Sequence, residues 1–269
     1  MRRLVVLIAA GATFFALVAT GFALTTNDAS FTGSLSHKGK PSKKKPATAS
    51  FHTITNFIST DGNQPNVANT TTIFFPKQLV NNAKYFPSCS KGQIDGQSSI
   101  PAKCKKALVG SGKATAAGGN PGTPINPGLT ENLTVKAYNG PKGKSLLLVL
   151  NGSSPLAITN RVIEGKMSKT RGKFGFKLAF TVPFDLQYQQ GLQTPQTHFD
   201  VKIKSITTKA KIRGKKTKVP YLGLTSCPKS HKLPTQVTVN YAQDGPIVGN
   251  PPHPQPGGQT VTRGGTVKC

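Results

Sequence analysis

Between residues 173 and 182 the chain alternates without a break. Phe174, Phe176, Leu178, Phe180 and Val182 are separated by Gly175, Lys177, Ala179 and Thr181. A strict period of two over that length sends one row of side chains into a core and the other toward solvent, which is a strand on a half-buried sheet. Thr170-Arg171-Gly172 predicts the turn before it. Pro183 ends it, because proline has no N–H to give to the ladder.

The pattern recurs along the chain. Leu133, Val135 and Ala137 alternate with Thr134, Lys136 and Tyr138, and Asn139-Gly140-Pro141-Lys142-Gly143 then turns the chain into a second strand at 145–150. That second strand is almost wholly apolar, so burial on both faces is expected. Further strands are expected at 51–58, 71–75, 107–115 and 161–167, around Phe199, Val201 and Ile203, and around Val237, Val239 and Tyr241. No helical stripe of useful length is present; residues 185–191 allow one turn. Glycine (28) and proline (21) stand mostly between the apolar runs. Many short strands with such turns predict an all-β fold, a single antiparallel β-sandwich with Gly/Pro-rich loops. The stretch GGNPGTPINPG at 118–128 is the one internal place where a second domain could begin. A long loop between strands explains it as well, and one domain is expected.

Arg2 and Arg3 precede an uncharged apolar run over 4–24, and Gly21 and Ala23 occupy the −3 and −1 positions of a cleavage site. This is the pattern of an export signal. The run of 21 residues is also long enough to span a bilayer, so an uncleaved N-terminal anchor is the alternative. Lys38, Lys40, Lys43, Lys44 and Lys45 on the translocated side argue against the anchor. The expected organisation is a signal peptide at 1–23, a basic disordered linker at 24–49, a β-sandwich domain at 50–242 and an irregular Pro/Gly-rich tail at 243–269 tied by the last cysteine. The mature protein would be secreted or associated with the cell surface.

In an oxidising compartment Cys89, Cys104, Cys227 and Cys269 are expected to form disulfides. Three connectivities are open, and proximity in sequence favours Cys89–Cys104 with Cys227–Cys269. The absence of a C-x2-C pair argues against zinc, and no metal or other cofactor is expected.

Lysine and arginine number 35 against eight acidic residues, a formal charge of +27. Such an imbalance repels itself and attracts polyanions. The sharpest concentration is the segment 202–218, with Lys202, Lys204, Lys209, Lys211, Arg213, Lys215, Lys216 and Lys218. Ala210 and Ile212 alternate with Lys209, Lys211 and Arg213, and Gly214 offers a turn before Val219 and Tyr221. Two or three adjacent strands are expected to present these cations on one exposed face, a candidate anion-binding surface. The competing explanation is a solvated edge that lysine guards against strand addition. The expected partners are anionic polymers of the cell envelope or an anionic membrane surface. A specific nucleic acid is not expected, because tryptophan is absent and no stacking residues interleave the basic run.

Catalysis has less to stand on, so an enzyme is less expected than a binding protein. His198 and Asp200 are two apart in an expected strand and so share a face, where they could form an acid–base pair in a secreted hydrolase. No third partner is evident, and no G-x-S-x-G is present. Gly110-Ser111-Gly112-Lys113 lacks the leading Gly of a phosphate loop, where Ala107 stands, and the hydroxyl after the lysine, where Ala114 stands. His52, His231 and His253 have no evident partners and read as surface residues. A third function class is an adhesin presenting its Pro/Gly-rich loops to a protein.

Several short motifs occur in a set order: Phe86-Pro87-Ser88-Cys89-Ser90, then Cys104, Val109-Gly110-Ser111-Gly112, Tyr138-Asn139-Gly140, Tyr221-Leu222-Gly223 and Ser226-Cys227-Pro228. In this the chain resembles uncharacterised exported proteins of high-GC Gram-positive bacteria, over roughly residues 51–245. The resemblance implies an all-β fold with the first two cysteines paired. It carries over no activity and no site residue.

Overall fold

The computed structural model describes residues 25–212 and 214–269, so the expected export signal at 1–23 and Arg213 lie outside the described residues. Among the described residues no helix is long and apolar enough to cross a membrane. The strands in chain order are β1 (Asn27–Lys38), β2 (Ala47–Ser59), β3 (Ala68–Pro76), β4 (Leu79–Asn81), β5 (Leu108–Ala117), β6 (Thr130–Asn139), β7 (Ser145–Gly152), β8 (Ile158–Lys169) and β9 (Phe174–Thr181). They continue with β10 (Tyr188–Gln189), β11 (Leu192–Gln193), β12 (Gln196–Ile203), β13 (Thr207–Ile212), β14 (Lys215–Pro220), β15 (Leu222–Leu224), β16 (Lys232–Tyr241), β17 (Ile247–Val248), β18 (His253–Pro254) and β19 (Thr260–Lys268).

One antiparallel sheet runs β19-β16-β3-β9-β8-β7-β6-β5-β12-β2. β12 and then β15 take successive stretches of one edge of β2, and β1 pairs along the other. The sheet folds back on itself into two layers. Phe51 of β2 meets Phe75 of β3 edge-on at 5.0 Å between ring centroids, and Phe180 of β9 faces Phe199 of β12 at 6.5 Å. These strands are distant along the ladder, so the rings touch across the interior of a sandwich. The Gly/Pro-rich stretch at 118–128 connects β5 to β6, which pair with each other, so it is an inter-strand loop. Both disulfides form as proximity favours, Cys89–Cys104 and Cys227–Cys269, with Cα–Cα separations of 5.2 and 5.8 Å.

β7 is buried on both faces. Leu146, Leu148 and Leu150 enter the main core, while Leu147 and Val149 pack outward against Ile94, Ala107 and the Cys89–Cys104 pair. The disulfide-closed segment is therefore a lid over the outer face of β7, and each fully covered aliphatic side chain contributes about 1.5–3 kcal/mol. Asn139 fastens this lid. Its side-chain amide donates to the carbonyls of Ala83 (3.0 Å) and Pro87 (2.9 Å), and its own carbonyl accepts from the Cys89 N–H (2.9 Å). Its Oδ1 accepts from the Tyr221 hydroxyl (3.3 Å), and Phe86 stacks edge-on against the Tyr221 ring. Three of the short motifs thus meet at one structural junction.

Three expectations fail. The segment 24–49 is not a disordered linker: Ala29, Phe31, Gly33 and Leu35 alternate with small polar residues and form β1. β1 lies against β19 and β16, where Arg263 binds Asp28, the Asn27 N–H donates to Gln259 Oε1 (2.7 Å) and the Tyr241 hydroxyl donates to the Asp28 carbonyl (2.5 Å). The tail at 243–269 is not wholly irregular either, because its last third is β19, paired with β16 over nine residues. Phe174 does not share the inward face of β9. The register with β3 skips Gly175, which lets the chain pass close to Lys77, and Phe174 turns outward onto Phe74 with centroids 5.2 Å apart. One bulged residue reverses a strand's faces.

Candidate anion-binding surface

The basic segment divides between two parts of the fold. Lys202 lies in β12 inside the large sheet, and Lys204 follows that strand. Lys209, Lys211, Lys215, Lys216 and Lys218 belong to a separate two-stranded ribbon, β13–β14, turned at Gly214. The ribbon is rooted where the Tyr221 N–H donates to the Ile206 carbonyl (3.0 Å) and where Val219 and Pro220 are buried. Of the two or three adjacent strands expected to carry the lysines, only the two of the ribbon are neighbours, since β12 does not pair with β13.

The register sorts the cations further. Lys209 stands opposite Lys218 and Lys211 opposite Lys216, so four exposed ammonium groups share one side of the ribbon. Lys215 pairs with Ile212 and belongs to the other side. Directly opposed like charges destabilise a ladder by a few tenths to about 1 kcal/mol per pair. No carboxylate offsets this. Among the described residues the only lysine within ion-pairing distance of an acid is Lys91, with Asp95. Five of the eight acids are engaged elsewhere: Asp28 with Arg263, Asp95 and Asp185 with Arg161, Asp200 with His52, and Asp61 with Ser59 and Asn63. Arg263 and the Ala29 N–H hold the Asp28 carboxyl below its ordinary range against the opposing effect of burial.

A second basic strip accompanies Lys202. In register across β5 and β6, Lys202 stands opposite Ser111 and Ser111 opposite Lys136, while Lys113 stands opposite Asp200. Lys113 and Lys136 are exposed on the same outward face as Lys202. Nothing in the chain order brings them together; the signal for each was its polar position in an alternating strand.

His198 and Asp200 do share the outward face of β12, but they partner other residues. Asp200 Oδ1 bonds His52 Nε2 at 2.6 Å, and His198 Nδ1 bonds Asn56 Oδ1 at 2.7 Å. His52, read as a lone surface residue, is the actual partner because β2 lies beside β12. Among the described residues neither ring bonds a hydroxyl or thiol. His253 stacks on Phe184 at 3.6 Å between centroids. His231 Nδ1 lies 3.4 Å from Cys227 Sγ, within reach of Cys269 as well. With both sulfurs in a disulfide neither is a thiolate, so this trio is not a ligand set in the oxidised protein. Comparison with protein-family models, with curated proteins and with solved structures finds no match.

Proposed function

We propose that the protein is an exported, disulfide-stapled cationic β-sandwich that binds anionic polymers of the cell envelope through the β13–β14 ribbon, without catalysing a reaction. The observation that carries this reading is the pair of directly opposed lysine pairs, Lys209 with Lys218 and Lys211 with Lys216, with no ion-paired carboxylate among the described residues. A closely spaced array of cations that costs ladder stability gains that energy back when it neutralises a polyanion, whose condensed counterions are then released into solution. The strip of Lys202, Lys113 and Lys136 supplies a second contact for a long chain. Recognition of this kind is sensitive to salt and indifferent to ligand sequence. Retention on lipoteichoic acid or heparin should therefore fall steeply with salt. Replacing Lys209, Lys211, Lys216 and Lys218 by Gln should lower it more than replacing an equal number of lysines elsewhere. Equal losses would mean that total charge alone governs binding and that the ribbon is no site.

A further inference from the structure

Cys227 and His231 stand at the two ends of the turn that leads into β16. The His231 N–H closes this turn by donating to the Pro228 carbonyl at 2.9 Å. His231 takes the left-handed conformation (φ 53°), which histidine tolerates better than most residues. Cys269 follows β19, whose Lys268 stands opposite Lys232 of β16, and its N–H donates to the His231 carbonyl at 3.1 Å. Backbone hydrogen bonds therefore hold two sulfurs and an imidazole together, apart from the S–S bond itself. The three donor atoms lie within 4.8 Å of one another. His231 Nδ1 is 3.4 Å from Cys227 Sγ and 3.2 Å from the Cys269 carbonyl.

In a tetrahedral zinc site, Zn–S bonds of about 2.3 Å and a Zn–N bond of about 2.0–2.1 Å place sulfur about 3.5 Å from nitrogen and the two sulfurs about 3.8 Å apart. Cys227 Sγ and His231 Nδ1 already stand close to that separation. The obstacle is the disulfide, which keeps the sulfurs bonded and denies them thiolate form. The two disulfides of this chain differ in access. Cys89 and Cys104 are 2% and 0% exposed beneath the lid, whereas Cys227 and Cys269 are half-buried and His231 is exposed. A thiol in solvent therefore reaches the Cys227–Cys269 bond first.

The geometry points to a reduction-gated site for a soft divalent ion such as Zn2+, held by Cys227 Sγ, Cys269 Sγ and His231 Nδ1. A dithiol breaks the Cys227–Cys269 bond, giving up two electrons and two protons and becoming a disulfide. The ion then displaces both thiol protons to solvent. Two thiolates cancel its charge, so occupancy adds nothing to the chain's excess of +27. Three protein ligands leave a fourth position for water. This site is independent of the lysine ribbon and stands or falls without it.

Co2+, which absorbs visibly when thiolates bind it, tests the site. The disulfide-intact protein is titrated beside protein reduced by a dithiol and then freed of it under nitrogen. The reduced protein should bind one ion per chain with a thiolate-to-metal charge-transfer band, which Zn2+ then displaces, and the intact protein should show no band. Alkylation mapped by mass spectrometry should find Cys227 and Cys269 reduced before Cys89 and Cys104, and Zn2+ should protect the first two. His231→Asn removes the imidazole but tolerates the left-handed backbone, and should weaken Co2+ binding at least about tenfold, which is about 1.4 kcal/mol. If that variant fails to fold by circular dichroism, the band and the protection measured on the unsubstituted protein decide. No band after reduction, an equal band in the intact protein, loss of the β spectrum on reduction, first reduction at Cys89–Cys104, or binding unchanged in a folded His231→Asn variant would each overturn the proposal.

Discussion

Consider the variant Lys209→Gln, Lys211→Gln, Lys216→Gln, Lys218→Gln. The four side chains project from one face of β13–β14, as two opposed pairs two residues apart along the strands. Opposed Cβ atoms lie about 5 Å apart and successive same-face residues about 7 Å apart, so the four ammonium groups form a patch small enough for one stretch of polyanion. On duplex DNA used as a standard polyanion, each phosphate contact contributes about 0.9 to the slope of log K against log salt. Losing four contacts should flatten that slope by about 3 to 4. Between roughly 0.05 and 0.2 M salt the unsubstituted protein should then lose about a hundredfold more affinity than the variant. The control is Lys40→Gln, Lys43→Gln, Lys44→Gln, Lys45→Gln, which removes the same charge from the exposed connection between β1 and β2. Fluorescence anisotropy over a salt series reads both slopes. Relief of the two repulsive pairs should also leave the quadruple variant as stable as the parent, or up to about 1–2 kcal/mol more stable. Equal flattening by the control would refute a localised site. A marked loss of stability in the ribbon variant would refute the view that these lysines are kept at a cost.

Other consequences are equally direct. Cys227→Ser with Cys269→Ser opens a loop of sequence separation 42 and should cost about 4 kcal/mol in urea unfolding, with β19 exchanging its amide protons first. Cys89→Ser with Cys104→Ser, at separation 15, should cost about 3 kcal/mol from loop entropy and expose Leu147 and Val149 to a hydrophobic dye. The depressed Asp28 carboxyl contributes stability that is present above the ordinary carboxylate range and lost as pH falls through its lower folded value. Asp28→Asn should therefore cost about 0.2–1 kcal/mol at neutral pH and flatten the acid limb of a thermal-melt series. Burial raises the Tyr221 and Tyr241 hydroxyls above their usual range, and the Asp28 charge adds to it for Tyr241. Their contribution is present below the ordinary phenol value and lost as pH rises beyond it, so tyrosinate absorbance from these two should appear only together with alkaline unfolding.

Much of the candidate surface was legible locally. Gly214 predicted the turn, alternation placed Lys209 and Lys211 on one side but did not separate Lys215, which belongs to the other, and the compactness of the 89–104 spacing favoured the right cysteine pairs. What escaped were relations between strands distant in sequence. His52 gains Asp200 only because β2 lies beside β12, and Lys113 and Lys136 reach Lys202 only through β5. β1 was legible in principle from Ala29, Phe31, Gly33 and Leu35, but its serine and threonine content reads as coil until a neighbour supplies the ladder.

Alternation, turn residues and cysteine spacing by themselves determined that this chain builds strands, where many of them turn and which side chains share a face, because a strand's period of two is a local property of the backbone. The partner of each strand, the bulge at Gly175 that sends Phe174 outward, the lid over Leu147 and the approach of Cys269 to His231 were decided only by the closed sheet. Pairing register and the covering of a face depend on what arrives from elsewhere in the chain, and a shift of one residue exchanges core and solvent along an entire strand.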